Sequence, residues 1–185
     1  MSEADPREIL VQVVKVLNKM DVPYLVTGGI SVLMWGRPRF TADIDIVVEL
    51  KTKNVKDMVK AFKSLWKGGY IDEDAINQAI KEKGEFNFID GVSGMKVDFW
   101  ILNNTEFDES RIKRRVGKKI MGQTIYFSSP EDLILSKLQW YQKSGSVRHL
   151  EDVESIFKIS GEKLNMQYLQ KMAKILDVVA VLKRY

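Results

Sequence analysis

Between Ile9 and Leu17, apolar residues recur at helical spacing (Ile9, Leu10, Val13, Val14, Val16 and Leu17). Just upstream, Asp5-Pro6-Arg-Glu8 reads as a helix start, with Asp as N-cap, Pro at the first helical position and Glu at the capping-box position. The pattern predicts a helix to about Met20. Pro23 to Thr27 is a short apolar run that predicts a buried strand leading into Gly28-Gly29. Ile30 to Trp35 predicts a short helix ended by Gly36, and the β-branched stretch from Ala42 to Leu50 a second strand. Lys53 to Lys67 is amphipathic, with Val55, Met58, Val59, Phe62, Leu65 and Trp66 on the apolar side. Its lysines 53, 56, 60, 63 and 67 form one stripe, which reads as a solvated face or, less directly, as a nucleic-acid contact.

Further along, a shorter helix is expected over Asp72 to Lys83. Glu85 to Asp90 and Met95 to Leu102 read as strands joined by the Gly91-Val-Ser-Gly94 turn. Helical pattern resumes near Glu106, and Lys118 to Phe127 reads as a hairpin around Met121-Gly122. Ser129-Pro130-Glu131-Asp132 is a second capping signature. From there the chain reads as helical to its end, with breaks at Ser144-Gly145-Ser146 and near Gly161. The fold class is therefore α/β (α+β): a mixed β-sheet flanked by helices over residues 1–127, then a C-terminal helical subdomain, residues 128–185, packed on that core.

A chain of 185 residues is long enough to bury a core without disulfide or metal staples. With no cysteine and a single histidine, His149, it cannot build thiolate catalysis, iron–sulfur clusters or zinc sites of the Cys/His type. A metal here must be held by oxygen. No stretch approaches the roughly 20 apolar residues of a membrane span, and the opening Met-Ser-Glu-Ala has no basic or apolar leader character. The expectation is a cytoplasmic protein. The net charge of +4 is unevenly placed: six basic residues and no acid lie between Arg111 and Lys119, and the other 23 basic residues face 25 acidic ones. That run is either a plain surface patch or a contact for a polyanion such as RNA.

The chemistry gathers around Asp43-Ile44-Asp45. Alternation along a strand puts both carboxylates on one face, roughly 6–7 Å apart. Such a pair either faces water at a strand end or shares a divalent cation, and Mg²⁺ suits carboxylates combined with substrate phosphates. Asp98 is a third carboxylate in an otherwise apolar strand. If the two strands are neighbours, a two-metal site becomes feasible. Gly28-Gly29, separated from Asp43 by thirteen residues, opens a helix, where free N–H groups and close backbone approach suit a phosphate. Arg37 and Arg39 are available for phosphate oxygens. Lys137 falls among Leu133, Ile134 and Leu138, so it either reaches a cleft or extends to solvent. Nucleophile-elbow, dinucleotide-binding and Walker spacings are absent from the sequence.

Val26-Thr-Gly28-Gly29, then Asp43-Ile-Asp45-Ile after thirteen residues, resembles the signature of the polymerase-β-like nucleotidyltransferase superfamily. Arg39-Phe-Thr41-Ala-Asp43 and Ser129-Pro-Glu-Asp-Leu-Ile-Leu-Ser-Lys137 are similar to its small prokaryotic members related to abortive-infection toxins. The resemblance implies a nucleotidyltransferase that moves a nucleoside monophosphate from an NTP to an acceptor hydroxyl. Gly28 and Gly29 would cradle the triphosphate, with Arg37, Arg39, Thr41 and Lys137 as further nucleotide contacts. Asp43, Asp45 and Asp98 would hold Mg²⁺, or Mn²⁺ in its place, and carry the catalysis. The acceptor would be RNA, a protein or a small molecule. Where some of the toxins carry Lys-Asp-x-x-Asp, this chain has Arg148-His149-Leu-Glu-Asp152, with His149 replacing a carboxylate. The alternatives are a non-catalytic nucleotide- or RNA-binding protein of the same fold, or the toxin-like half of a toxin–antitoxin pair.

Overall fold

The computed structural model describes residues 5–185; the opening Met1 to Ala4, on which the expectation about a leader falls, lie outside the described residues. The first helix, α1 (Pro6–Lys19), starts as expected, with the Asp5 carboxylate accepting from the Arg7 backbone N–H at 2.9 Å. It is followed by β1 (Tyr24–Val26), α2 (Gly28–Trp35), β2 (Asp43–Val48), α3 (Val55–Leu65) and α4 (Glu73–Glu82). Then come β3 (Glu85–Ile89), β4 (Lys96–Ile101), α5 (Glu106–Arg114), β5 (Val116–Ile120) and β6 (Gln123–Phe127). The chain closes with α6 (Pro130–Ser144), α7 (Val147–Ser160), α8 (Met166–Ile175) and α9 (Val179–Leu182). None of the described helices is long and apolar enough to cross a membrane.

The strands form one mixed sheet of six in the order β3-β4-β2-β1-β6-β5. β2 and β4 are neighbours and run parallel, whereas β1 is antiparallel to β2 and parallel to β6. Paired residues of neighbouring strands face the same side. Ile44, Ile46 and Val48 therefore share a face with Val97, Phe99 and Ile101, and this face packs on Val13, Leu17, Met58, Phe62 and Ile76 of α1, α3 and α4. The opposite face carries Asp43, Asp45 and Val47 with Lys96, Asp98 and Trp100. A separate apolar cluster unites Leu133, Ile134 and Leu138 of α6 with Val153, Ile156, Leu169 and Met172, and it draws in Val32 of α2 and Phe107 of α5.

The glycines open α2, as their position after β1 suggested. Two details differ from the sequence pattern. Leu65, expected inward, is 53% exposed, because the helix ends there and the extended Trp66 turns its own ring into the core. A further break separates α8 from α9, where Asp177 adopts a left-handed conformation (φ 54°). Aspartate tolerates that region, so no glycine or proline announces the break.

The start of α6 is held by a buried polar network. Ser129 caps the Asp132 N–H and donates its hydroxyl to Asp132 Oδ2 at 2.7 Å, while Tyr168 on α8 donates to Oδ1 at 2.6 Å. Glu131 beside it accepts from Arg114 (2.8 Å) and from the Asn165 backbone (2.8 Å), and the Arg114 guanidinium lies 3.7 Å from the centre of the Tyr168 ring. These contacts bind α5, α6 and α8 together. Tyr168→Phe leaves the buried Asp132 oxygen without its donor and should cost about 1–3 kcal/mol in urea unfolding. A loss within error would show that the hydroxyl contributes nothing to the packing of α8.

Candidate active site

The two glycines set the geometry of the site. Gly28 sits in the left-handed region (φ +61°), and a Cβ there would lie 1.8 Å from Asp45 Oδ2. A Cβ on Gly29 would lie 2.3 Å from Thr41 Oγ1. Only glycine lets the first turn of α2 press this closely on the strand and loop that carry the chemistry. The Thr27 N–H donates to the Asp45 carbonyl at 2.9 Å, and the buried Ser31 hydroxyl ties the helix back to the Val26 carbonyl at 2.7 Å. Thr41 donates to Asp43 Oδ1 at 3.0 Å.

Asp43 and Asp45 line a cleft of about 740 Å³, together with Gly28, Gly29, Arg39, Thr41 and Lys137. Burial pushes the Asp45 carboxyl above its ordinary pKa, and the neighbouring charges of Asp43 and Asp98 add to the effect. Among the described residues, neither Asp43 nor Asp45 is paired with a lysine or arginine within 4.0 Å. Crowded carboxylates left without a protein cation at the mouth of a helix N-terminus fit a divalent ion with its oxygen ligands. Asp98 is directly opposite Asp45 in the β2–β4 register, but it is only 7% exposed, and its Oδ2 lies 2.8 Å from Lys96 Nζ. Among the described residues, no three carboxylate or histidine side chains converge closely enough to share one ion.

Lys137 reaches the cleft rather than solvent. It is 6% exposed, with Nζ 2.8 Å from Asp152 Oδ2. Arg39 binds the same carboxylate through two parallel hydrogen bonds of 2.7 and 2.8 Å. Burial raises the Asp152 pKa, but the bonds from Arg39 and Lys137 more than reverse this and leave it below the ordinary aspartate value. Asp152 is thus a site residue that sequence reasoning noted only as the last position of the toxin-like cluster. It lies more than a hundred residues from Arg39, so only the contact of α7 with the loop before β2 reveals its role. Arg37, by contrast, is exposed and does not line the cleft.

The far side of the cleft is aromatic. Trp100 and Trp140 meet edge to face at 5.3 Å, and His149 stacks on Trp140 at 6.5 Å. Burial, with the Lys137 charge behind it, holds the His149 pKa below its usual value, so the ring is neutral at pH 7. Its Nδ1 and the Ser136 hydroxyl are buried in this wall without a hydrogen-bond partner among the described residues. Phe107, Ile175 and Leu176 also line the cleft.

The Arg111–Lys119 run is not the continuous basic surface that its sequence suggested. Helical geometry and neighbouring acids divide it: Arg111 pairs with Asp108 at 2.5 Å, Lys113 with Glu109 at 4.0 Å and Arg114 with Glu131 at 2.8 Å. Arg115 stacks over Tyr126 and Lys118 over Trp35.

A Gly-Gly helix start pressed against an Asp-x-Asp strand in a mixed sheet fits the fold of the polymerase-β-like nucleotidyltransferases. The chain belongs to the family described as "Nucleotidyltransferase of unknown function (DUF6036)", which matches residues 7–183. No curated protein matches it in sequence. Among solved structures it is similar to the antibiotic-resistance factor ANT(2'')-Ia in complex with adenylyl-2''-tobramycin, at 11% identity and TM-score 0.58, covering 92% of this chain and 96% of that one. It is also similar to the lincosamide antibiotic adenylyltransferase LnuA with lincomycin bound, at 12% identity and TM-score 0.53, covering 85% of this chain and 99% of that one. The Megavirus polyadenylate synthase matches at 9% identity and TM-score 0.53, over 83% of this chain and 31% of that one.

Two substitutions probe the frame of the site. Gly28→Ala should displace the Asp45 carboxylate and lower the unfolding free energy by about 1–3 kcal/mol, through the strained φ and the clash together; an unchanged urea midpoint would show that the helix start yields freely. Asp152→Ala leaves two inward-facing cations unpaired and should cost about 3 kcal/mol. Because the folded Asp152 pKa is depressed, its stabilisation is complete above the unfolded value near 3.8 and is lost as pH falls through the folded value. Stability curves of the wild type and Asp152→Asn should therefore converge in acid, and parallel curves would refute the ion-pair account.

Proposed function

We propose that this protein catalyses Mg²⁺-dependent transfer of a nucleoside monophosphate from an NTP to a hydroxyl of a small molecule. The observation that carries this reading is the pair Asp43 and Asp45, held against the N-terminus of α2 in a cleft with no lysine or arginine within 4.0 Å among the described residues. These two carboxylates would hold the cation, which neutralises the triphosphate and polarises its α-phosphorus. The N–H groups of the Gly28-Gly29 turn and the Thr41 side chain face the phosphates. Arg39 and Lys137 present positive charge to them, pre-set by Asp152. The acceptor oxygen bonds to the α-phosphorus, the bond to the β-phosphate bridging oxygen breaks, and pyrophosphate leaves. Asp98, across from Asp45, is the proposed residue for the hydroxyl proton. The side chains thus contribute position and charge more than covalent chemistry.

The cleft favours a small acceptor. Its volume falls in the range of small-molecule sites, roughly 300–1,000 Å³. Phe107, Ile175 and Leu176 add apolar surface to its lining. Trp100, Trp140 and His149 offer an aromatic wall against which an apolar ring can pack, and Ser136 Oγ and His149 Nδ1 are unpartnered polar atoms buried within it. Of the basic run, only Arg111 lines the cleft, and it is committed to Asp108. A toxin-like transfer to RNA or protein therefore has less support in this cleft.

Incubation with each labelled NTP and a cell extract should place the label in the small-molecule fraction; label in RNA or protein would overturn the acceptor assignment. Asp45→Asn should abolish Mg²⁺-dependent NTP binding in calorimetry while the fold persists. Asp98→Asn should bind Mg·NTP within a few-fold of wild type yet lose at least ~10²-fold in kcat, roughly 2.7 kcal/mol. Full binding by Asp45→Asn would refute the cation site, and undiminished transfer by Asp98→Asn would remove Asp98 from the chemistry.

A further inference from the structure

Resting on that reading of the site, the geometry points to a centre with one divalent cation, in which the Lys96 ammonium stands in the second cation's place beside Asp98. Lys96 is directly opposite Asp43 in the parallel register, and Asp98 is opposite Asp45, so all four side chains leave the same face of two adjacent strands. From that position the lysine side chain runs along its own strand to within 2.8 Å of Asp98 Oδ2. The partially exposed lysine covers a carboxylate that is itself nearly buried. The result is an asymmetric site: Asp43 and Asp45 line the cleft with no protein cation, whereas Asp98 already has one.

A second divalent ion at Asp98 would stand within a few ångströms of the Lys96 ammonium unless the lysine, whose side chain is 46% exposed, swung away from the carboxylate it covers. Like charges at that separation in a partly desolvated site exclude one another. Ammonium and metal are therefore alternatives. The ammonium neutralises Asp98 and donates hydrogen bonds, which serves an oxygen gaining negative charge, but it offers no open coordination position. Three carboxylates are then balanced by one divalent ion and one lysine, leaving no net charge before the triphosphate enters.

The test is a count of bound Mn²⁺, with the metal alone as probe, by electron paramagnetic resonance on wild type, Lys96→Gln, Lys96→Met and Asp45→Asn. Circular dichroism melts establish that each variant is folded. The expected result is one ion per chain in the wild type, two in Lys96→Gln and in Lys96→Met, and none in Asp45→Asn. Two ions in the wild type, or a count that stays at one when Lys96 is neutralised, would overturn the inference and leave the proposed function standing. An equal count in wild type and Asp45→Asn, or no bound ion in any protein, would instead overturn the cation site itself.

Discussion

The molecule depends on how closely the first turn of α2 approaches β2. An atom at the Cβ position of Gly28 would stand 1.8 Å from Asp45 Oδ2, far inside any van der Waals contact. That closeness lets the free N–H groups of a helix start and two strand carboxylates address the same small volume. One group favours anions and the other cations, and a metal-bound phosphate satisfies both. The helix is anchored for this purpose at its other contacts too, through the Ser31 hydroxyl on Val26 and Trp35 on the Ser128 carbonyl at 2.8 Å. The first anchors α2 to β1, and the second fastens its far end to the segment leading into α6.

Charge in the cleft follows a consistent division. Asp43 and Asp45 have no lysine or arginine within 4.0 Å among the described residues, whereas Arg39 and Lys137 are held by Asp152, itself only 3% exposed. Two cations on one carboxylate leave a net positive charge facing the cleft, and neither side chain has to be ordered when an anion arrives. Pre-ordering of this kind removes part of the entropic cost of binding. The same carboxylate links α7, α6 and the loop before β2, so the C-terminal helices are part of the site and not merely packed beside it. Arg148 adds to that link by donating to the Phe40 carbonyl at 2.9 Å, on the same loop.

The basic run from Arg111 to Lys119 illustrates why linear charge is a poor guide to surface charge. Its arginines stand at the end of α5 and the turn into β5, where acids on α5 and α6 and the rings of Tyr168 and Tyr126 meet them. A guanidinium is flat and weakly hydrated, so it is readily drawn into such contacts. The lysine stripe of α3 does remain exposed, as expected for side chains whose ammonium groups stay hydrated.

Local rules decided much of this protein. Alternation placed Asp43 and Asp45 on one face and Ile44, Ile46 and Val48 on the other, and the paired glycines marked the helix start facing them. The capping residues fixed the starts of α1 and α6 for the same reason: each is a contact between residues at most a few positions apart. What depended on distant neighbours was settled only by the folded chain. That Asp98 stands opposite Asp45 follows from the parallel β2–β4 register, which the turn chemistry between the strands does not dictate. Lys96 on Asp98, Asp152 on Arg39 and Lys137, and the removal of Arg37 from the cleft are likewise outcomes of packing. A charged side chain's partner is whichever opposite charge the fold brings within a few ångströms, and sequence separation carries no record of that distance.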